Sequence, residues 1–102
     1  MKLEELVKGL EYTLVQGDLN TEVVTVENDS RKVTDGALFF CISGAVFDGH
    51  KYAAEVAEKK ASVIVVEKDV DLLKYESVTV IKVASTRYAI SVRTFRSVFS
   101  VF

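Results

Sequence analysis

Two short segments hold the residues best suited to gripping a ligand: Asn28-Asp29-Ser30-Arg31 and Gly44-Ala45-Val46-Phe47-Asp48-Gly49-His50. Ser30 brings a hydroxyl that both donates and accepts, and the Gly44 segment brings backbone N–H and C=O groups that glycine leaves uncrowded. A helix starting after Gly49 would aim its free N–H groups at whatever sits in that loop, which suits phosphate oxygens. Together these groups describe a site for a nucleotide diphosphate. Each residue also has a structural reading. Asp29 and Ser30 suit a turn, because their side chains readily bond nearby backbone amides. Asp48 suits a helix cap and Gly49 a turn. His50 reads as a surface or capping histidine rather than a catalytic base. Cys41, inside an apolar run, reads as core. Phe47 either stacks on a base or plugs a gap in the core.

No GxxxxGK[ST] or GxGxxG loop occurs, and one His with one Cys cannot build a tetrahedral zinc site. The carboxylates fall mostly on charged helical or connecting segments, where they are solvated rather than set up for acid–base work. The sequence therefore offers a binding site without catalytic or metal-binding residues.

The elements that must hold these segments follow from periodicity. Leu3, Leu6, Val7 and Leu10 recur at helical spacing among charged residues, so the N-terminus reads as a short amphipathic helix whose apolar stripe packs on a sheet. Glu22 to Glu27 is β-branched and strand-like and ends at Asn28-Asp29-Ser30, after Gln16-Gly17-Asp18 has punctuated the chain. Thr34-Asp35-Gly36 makes a turn. Leu38 to Ile42 is then apolar without alternation, as expected of a central strand covered on both faces. Lys51 to Lys60 reads as a helix with Tyr52, Val56 and Ala53 inward, ending on Lys59 and Lys60. Val63 to Val66 and Val78 to Ile81 are two more strands, and a helix opens at Ser85 or Thr86. The expectation is an α/β fold, a small mixed sheet of four to five strands flanked by helices, with both candidate loops directly after strands, where open α/β sheets hold ligands.

At 102 residues, 49% hydrophobic and 27% charged, with five Gly and no Pro, the chain has the make-up of one folded domain. The net charge of −2, with Lys and Arg scattered, gives no footprint for nucleic acid or a membrane surface. The single cysteine rules out an internal disulfide, and no signal peptide or membrane-length apolar run is present, which points to the cytoplasm.

The run DSRKVTDGALFFCISGAVFDGHKYA resembles the N-terminal signature of MurE ligases, the UDP-N-acetylmuramoyl-L-alanyl-D-glutamate ligases. In that family a DSR segment, a GxLF strand and a DGH segment follow in this order. The match is close from Asp29 to about Ala54. The ASVIVVEKD stretch and Thr86-Arg87-Tyr88-Ala89 resemble what comes next, so residues 1–90 are covered. The resemblance implies a MurE/MurF N-terminal-domain-like fold that grips the UDP of UDP-MurNAc-L-Ala-D-Glu. It also implies a parent ligase of peptidoglycan synthesis that adds meso-diaminopimelate or L-lysine using ATP and magnesium, on central and C-terminal domains not represented here. Carried over residue by residue, Asn28, Ser30, Ala45, Val46 and Phe47 match the family's contacts to UDP. Asp29, Arg31, Asp48, Gly49 and His50 match signature positions and form a second tier, either shaping the loops or touching ligand. No ATP loop, metal ligand or catalytic residue maps onto this chain, so it is expected to bind neither cofactor itself and to be inactive alone.

Residues 91–102, SVRTFRSVFSVF, depart from the family, whose helix ends on a Phe-Tyr-x-x-Pro-like run before the ATP-binding domain. They read as a truncated or altered connection, and the apolar stretch from Phe95 to Phe102 as a surface that buries itself against another copy. Two other readings stay open: a MurF-type N-terminal domain, and a stand-alone, non-enzymatic nucleotide-binding or interaction domain.

Overall fold

The computed structural model describes residues 1–92 and Phe95. Five strands form one sheet: β1 Thr13–Gln16, β2 Thr25–Glu27, β3 Ala37–Phe40, β4 Val63–Val66 and β5 Thr79–Lys82. Their spatial order is β1-β5-β4-β3-β2. β2 to β5 are parallel neighbours, and β1 runs antiparallel on the outer edge of β5. The parallel strands are laid down in chain order, so no reversal of strand order opens a crevice. Their carboxyl ends all lie at one edge, and adjacency alone puts the loops after β2 and β3 side by side.

The unalternating apolar runs arise because both faces of the sheet are covered. Leu38 and Phe40 of β3, Val63 and Val65 of β4 and Ile81 of β5 pack on one face with α1 (Leu3–Leu6), Val7, Leu10, Val26 and Ala89. Phe39, Cys41, Ile64, Val66 and Val80 pack on the other with α2 (Ala53–Glu58), through Ala53, Val56 and Ala57. Each fully buried Val, Leu, Ile or Phe among them stabilises the fold by roughly 1.5–3 kcal/mol relative to exposure. The second site-bearing loop thus leaves β3, a strand buried on both faces, and the first leaves its neighbour β2.

The structure corrects several expectations. β1 was not foreseen. The strand read over Glu22 to Glu27 pairs with β3 only from Thr25 to Glu27, because the Val23 N–H is drawn to the Met1 carbonyl and the Val24 N–H to the Gly36 carbonyl. The helix read from Lys51 to Lys60 begins as a 3₁₀ turn at Gly49–Tyr52 and is α-helical only over Ala53–Glu58. The helix read from Ser85 or Thr86, α3, runs Thr86–Ser91 with Ser85 as its cap, the Ser85 side chain accepting from the Tyr88 N–H. Phe95 is fully buried, edge-on to Phe40 with ring centroids 5.2 Å apart, so it completes this chain's own core and is not part of a surface for another copy. The remainder of the expectation for the C-terminal stretch falls on residues 93, 94 and 96–102, outside the described residues. Among the described residues no helix is long and apolar enough to cross a membrane.

Candidate functional site

The first loop leaves β2 at Glu27 and turns through a 3₁₀ turn at Ser30–Lys32. Asp29 caps that turn, its Oδ1 accepting from the Arg31 N–H at 3.0 Å. The same carboxylate takes the Arg31 guanidinium with both oxygens, from Nε at 3.0 Å and from Nη2 at 2.8 Å. These bonds, the guanidinium first, lower the Asp29 pKa to about 2. The pair lies at the surface and stiffens the loop more than it stabilises the fold. Lys59, just past α2, donates to the Ser30 carbonyl at 2.9 Å and ties the loop to the neighbouring helix.

The second loop is drawn tight. Ser43 and Asp48 form an isolated antiparallel bridge, leaving Gly44 to Phe47 as a four-residue tip. Gly44 is required there, since a Cβ would sit 2.7 Å from the Phe47 carbonyl oxygen. Gly49 is pressed against the β3 exit, where a Cβ would meet the Ile42 backbone nitrogen at 2.9 Å.

The free helix start expected after Gly49 does not exist. The Gly49 N–H bonds the Ile42 carbonyl at 2.8 Å, the His50 N–H bonds Asp48 Oδ1 at 3.0 Å, and the Lys51 N–H bonds the Asp48 carbonyl at 3.4 Å. Asp48 is thus a cap. Its carboxyl is held well below the ordinary range by Lys68 first, then by the His50 backbone and imidazole. His50 is buried rather than at the surface. Its Nε2 accepts from the Glu67 N–H at 2.9 Å and the Lys68 N–H at 3.3 Å. The neutral ring therefore carries its proton on Nδ1, which lies 2.7 Å from Asp48 Oδ1. With both nitrogens engaged, His50 has no lone pair for a substrate and acts as a buried clamp between the loop and the end of β4.

The two loops enclose one cleft. About 680 Å³ in volume, it is lined by Asn28, Asp29, Ser30 and Arg31 on one side, Phe47, Tyr52 and Glu55 on the other, with Phe39 at its base. Phe47 is no core plug: it is 54% exposed and stacked on Tyr52, with ring centroids 5.5 Å apart and planes 27° apart. The Lys51 ammonium sits 5.3 Å from the Phe47 ring and 5.4 Å from the Tyr52 ring. The result is an aromatic platform with a cation beside it. Of the ten singled-out residues, five line the cleft: Asn28, Asp29, Ser30, Arg31 and Phe47. Ala45 and Val46 ride on the exposed tip, and Asp48, Gly49 and His50 hold the loop from behind. Sequence reasoning missed Phe39, Tyr52 and Glu55. The signal for Tyr52 was its place one short turn beyond the loop, within reach of Phe47. A more apolar groove of about 520 Å³ lies at the β1 edge between Val15, Val66, Leu73 and Val80, and its Lys82 is already paired with Asp69.

Residues 22–94 match the sequence profile described as Mur ligase family, catalytic domain. The chain belongs to the Mur ligase family. It is 48% identical over 87 residues, 85% of this chain, to the UDP-N-acetylmuramoyl-L-alanyl-D-glutamate--2,6-diaminopimelate ligase of Clostridioides difficile. The fold is that of Mur ligase N-terminal domains. It is similar to MurF from Acinetobacter baumannii, with a TM-score of 0.74 and 26% identity over 87% of this chain. MurF from Thermotoga maritima in complex with ADP is also similar, with a TM-score of 0.57 and 25% identity over 74% of this chain. The Mur ligase chain described here spans less than a fifth of each of these relatives: 17% of the first, 19% of the second and 16% of the third.

Proposed function

We propose that residues 1–90 grip the UDP end of UDP-MurNAc-L-Ala-D-Glu, as the substrate-anchoring unit of a cytoplasmic, ATP-dependent ligase that adds the third peptide residue in peptidoglycan synthesis. The observation that carries this reading is the cleft between the loops after β2 and β3, which joins the Ser30 loop to the Phe47–Tyr52 platform. The platform suits the flat face of uracil. The Ser30 hydroxyl, the Asn28 amide and the backbone from Ala45 to Phe47 supply the polar groups that would take the ribose and diphosphate. Identity to a diaminopimelate ligase at 48%, against 26% to a MurF, favours meso-diaminopimelate as the residue added and the MurE reading over the MurF one.

ATP and magnesium belong to other parts of such a ligase. The residues here do not fit them: the sequence has no phosphate-cradling GxxxxGK[ST] loop, and among the described residues no group of three His, Cys, Asp or Glu could hold a metal ion. The platform makes the reading testable. Phe47→Ala should weaken UDP binding about tenfold, near the low end of what stacking on an aromatic contributes per base. Shift titration with UDP against the wild-type chain measures this, and an unchanged affinity would contradict the platform's role. The wild-type chain itself should bind UDP-MurNAc-L-Ala-D-Glu more weakly than micromolar, because the rest of that substrate is left without partners.

A further inference from the structure

The Thr86-Arg87-Tyr88-Ala89 run has no part in the cleft, yet Arg87 reaches the base of the second loop directly and Thr86 bonds Glu67, whose backbone His50 holds. The Arg87 Nε donates to the Ser43 carbonyl at 3.2 Å, at the point where the Gly44–Phe47 tip begins. Thr86 is fully buried, and its N–H and hydroxyl both bond Glu67 Oε1, at 2.7 and 2.8 Å. Glu67 is also the residue whose backbone N–H is clamped by His50. The tip is therefore held on its far side by His50 and Asp48, through the end of β4, and on its near side by Arg87, from the first turn of α3.

We propose that Arg87 is a positioning residue for the nucleotide cleft, fixing the Gly44–Phe47 tip through the Ser43 carbonyl without touching the ligand, while the Glu67–Thr86 pair fixes the start of α3 that carries it. The effect on ligand rests on the function proposed above; the effect on the loop does not. A side chain of four flexible bonds holding one carbonyl at the surface contributes little to global stability. Arg87→Ala should leave the denaturation midpoint nearly unchanged while freeing the tip. The removed bond is exposed to water and acts on the ligand only through the loop, so Arg87→Ala should weaken UDP binding by only about three- to tenfold. Arg87→Lys, which can still donate to one carbonyl, should restore most of the loss.

The test is amide NMR of the wild-type, Arg87→Ala and Arg87→Lys chains, first without ligand and then with UDP. The expected result is shifted, more mobile Gly44, Ala45, Val46 and Phe47 amides in Arg87→Ala alone, with a matching loss of affinity. Tip amides unchanged in position and order by Arg87→Ala would overturn the proposal whatever UDP does. A tip freed by Arg87→Ala in a chain whose wild type ignores UDP would leave the positioning role standing and remove the UDP reading instead.

Discussion

Gly17→Ala is expected to cost at least about 3 kcal/mol of stability, the largest effect among the Gly→Ala changes in this chain. Gly17 has φ +89°, a left-handed conformation that strains any residue with a Cβ. An added Cβ would also lie 2.3 Å from Thr79 Oγ1 and 2.5 Å from Thr79 Cα. The second contact is with backbone on β5, which cannot turn aside. Thr79 Oγ1 meanwhile accepts from the Asp18 N–H at 3.1 Å and lies 2.7 Å from the Thr21 hydroxyl, so displacing it breaks the corner that seats β1. Gly9 provides the control: φ is +81° but nothing lies within 4 Å of its added Cβ, so Gly9→Ala reports conformational strain alone, about 1 kcal/mol. Urea denaturation of the two variants separates the terms. Equal losses would show that the Thr79 contact relaxes.

His50→Ala should destabilise the chain by about 3 kcal/mol and abolish nucleotide binding together. Removing the ring deprives the Glu67 and Lys68 N–H groups of their shared acceptor, and an unsatisfied polar group costs about 1–3 kcal/mol when it is shielded from water. It also strips Asp48 of one of the partners holding the loop base. His50→Gln places a carboxamide oxygen where Nε2 stood and should recover a large part of the stability. Denaturation and UDP titration of both variants check this. A His50→Ala chain within 1 kcal/mol of the wild type would show that water replaces the imidazole.

How far the sequence revealed this molecule depended on burial. β3, β4 and β5 were legible because Phe39, Ile64, Val80 and their neighbours are buried on both faces, which leaves an apolar run as the trace. β1 was not legible, because three of its four residues are exposed and its one partner, β5, lies more than 60 residues away. Pairing of that kind writes no periodicity into a sequence. The two loops were found because Asn28-Asp29-Ser30 and Gly44 stand where strands end. The roles within them were harder. A free helix start after Gly49 was a fair expectation, but Asp48 two residues before His50 is also a cap, and the cap had already taken the His50 amide. His50 looked like a surface residue because nothing local shows that the backbone at Glu67 and Lys68 will close over it. The cleft's base and platform, Phe39 and Tyr52, come from a strand and a helix start that read as core packing, and only the fold turns them toward Ser30.

The central claim is that the two loops form one seat for the uridine diphosphate end of the substrate. Two-dimensional amide NMR of the wild-type chain, titrated with UDP-MurNAc-L-Ala-D-Glu and separately with UDP and ATP, tests it most directly. The account predicts that both uridine ligands shift Asn28, Ser30 and Ala45 to Phe47 as one group with a common affinity, and that ATP leaves them in place. Uridine ligands that shift neither loop up to millimolar concentration, or ATP shifting both equally, would contradict it.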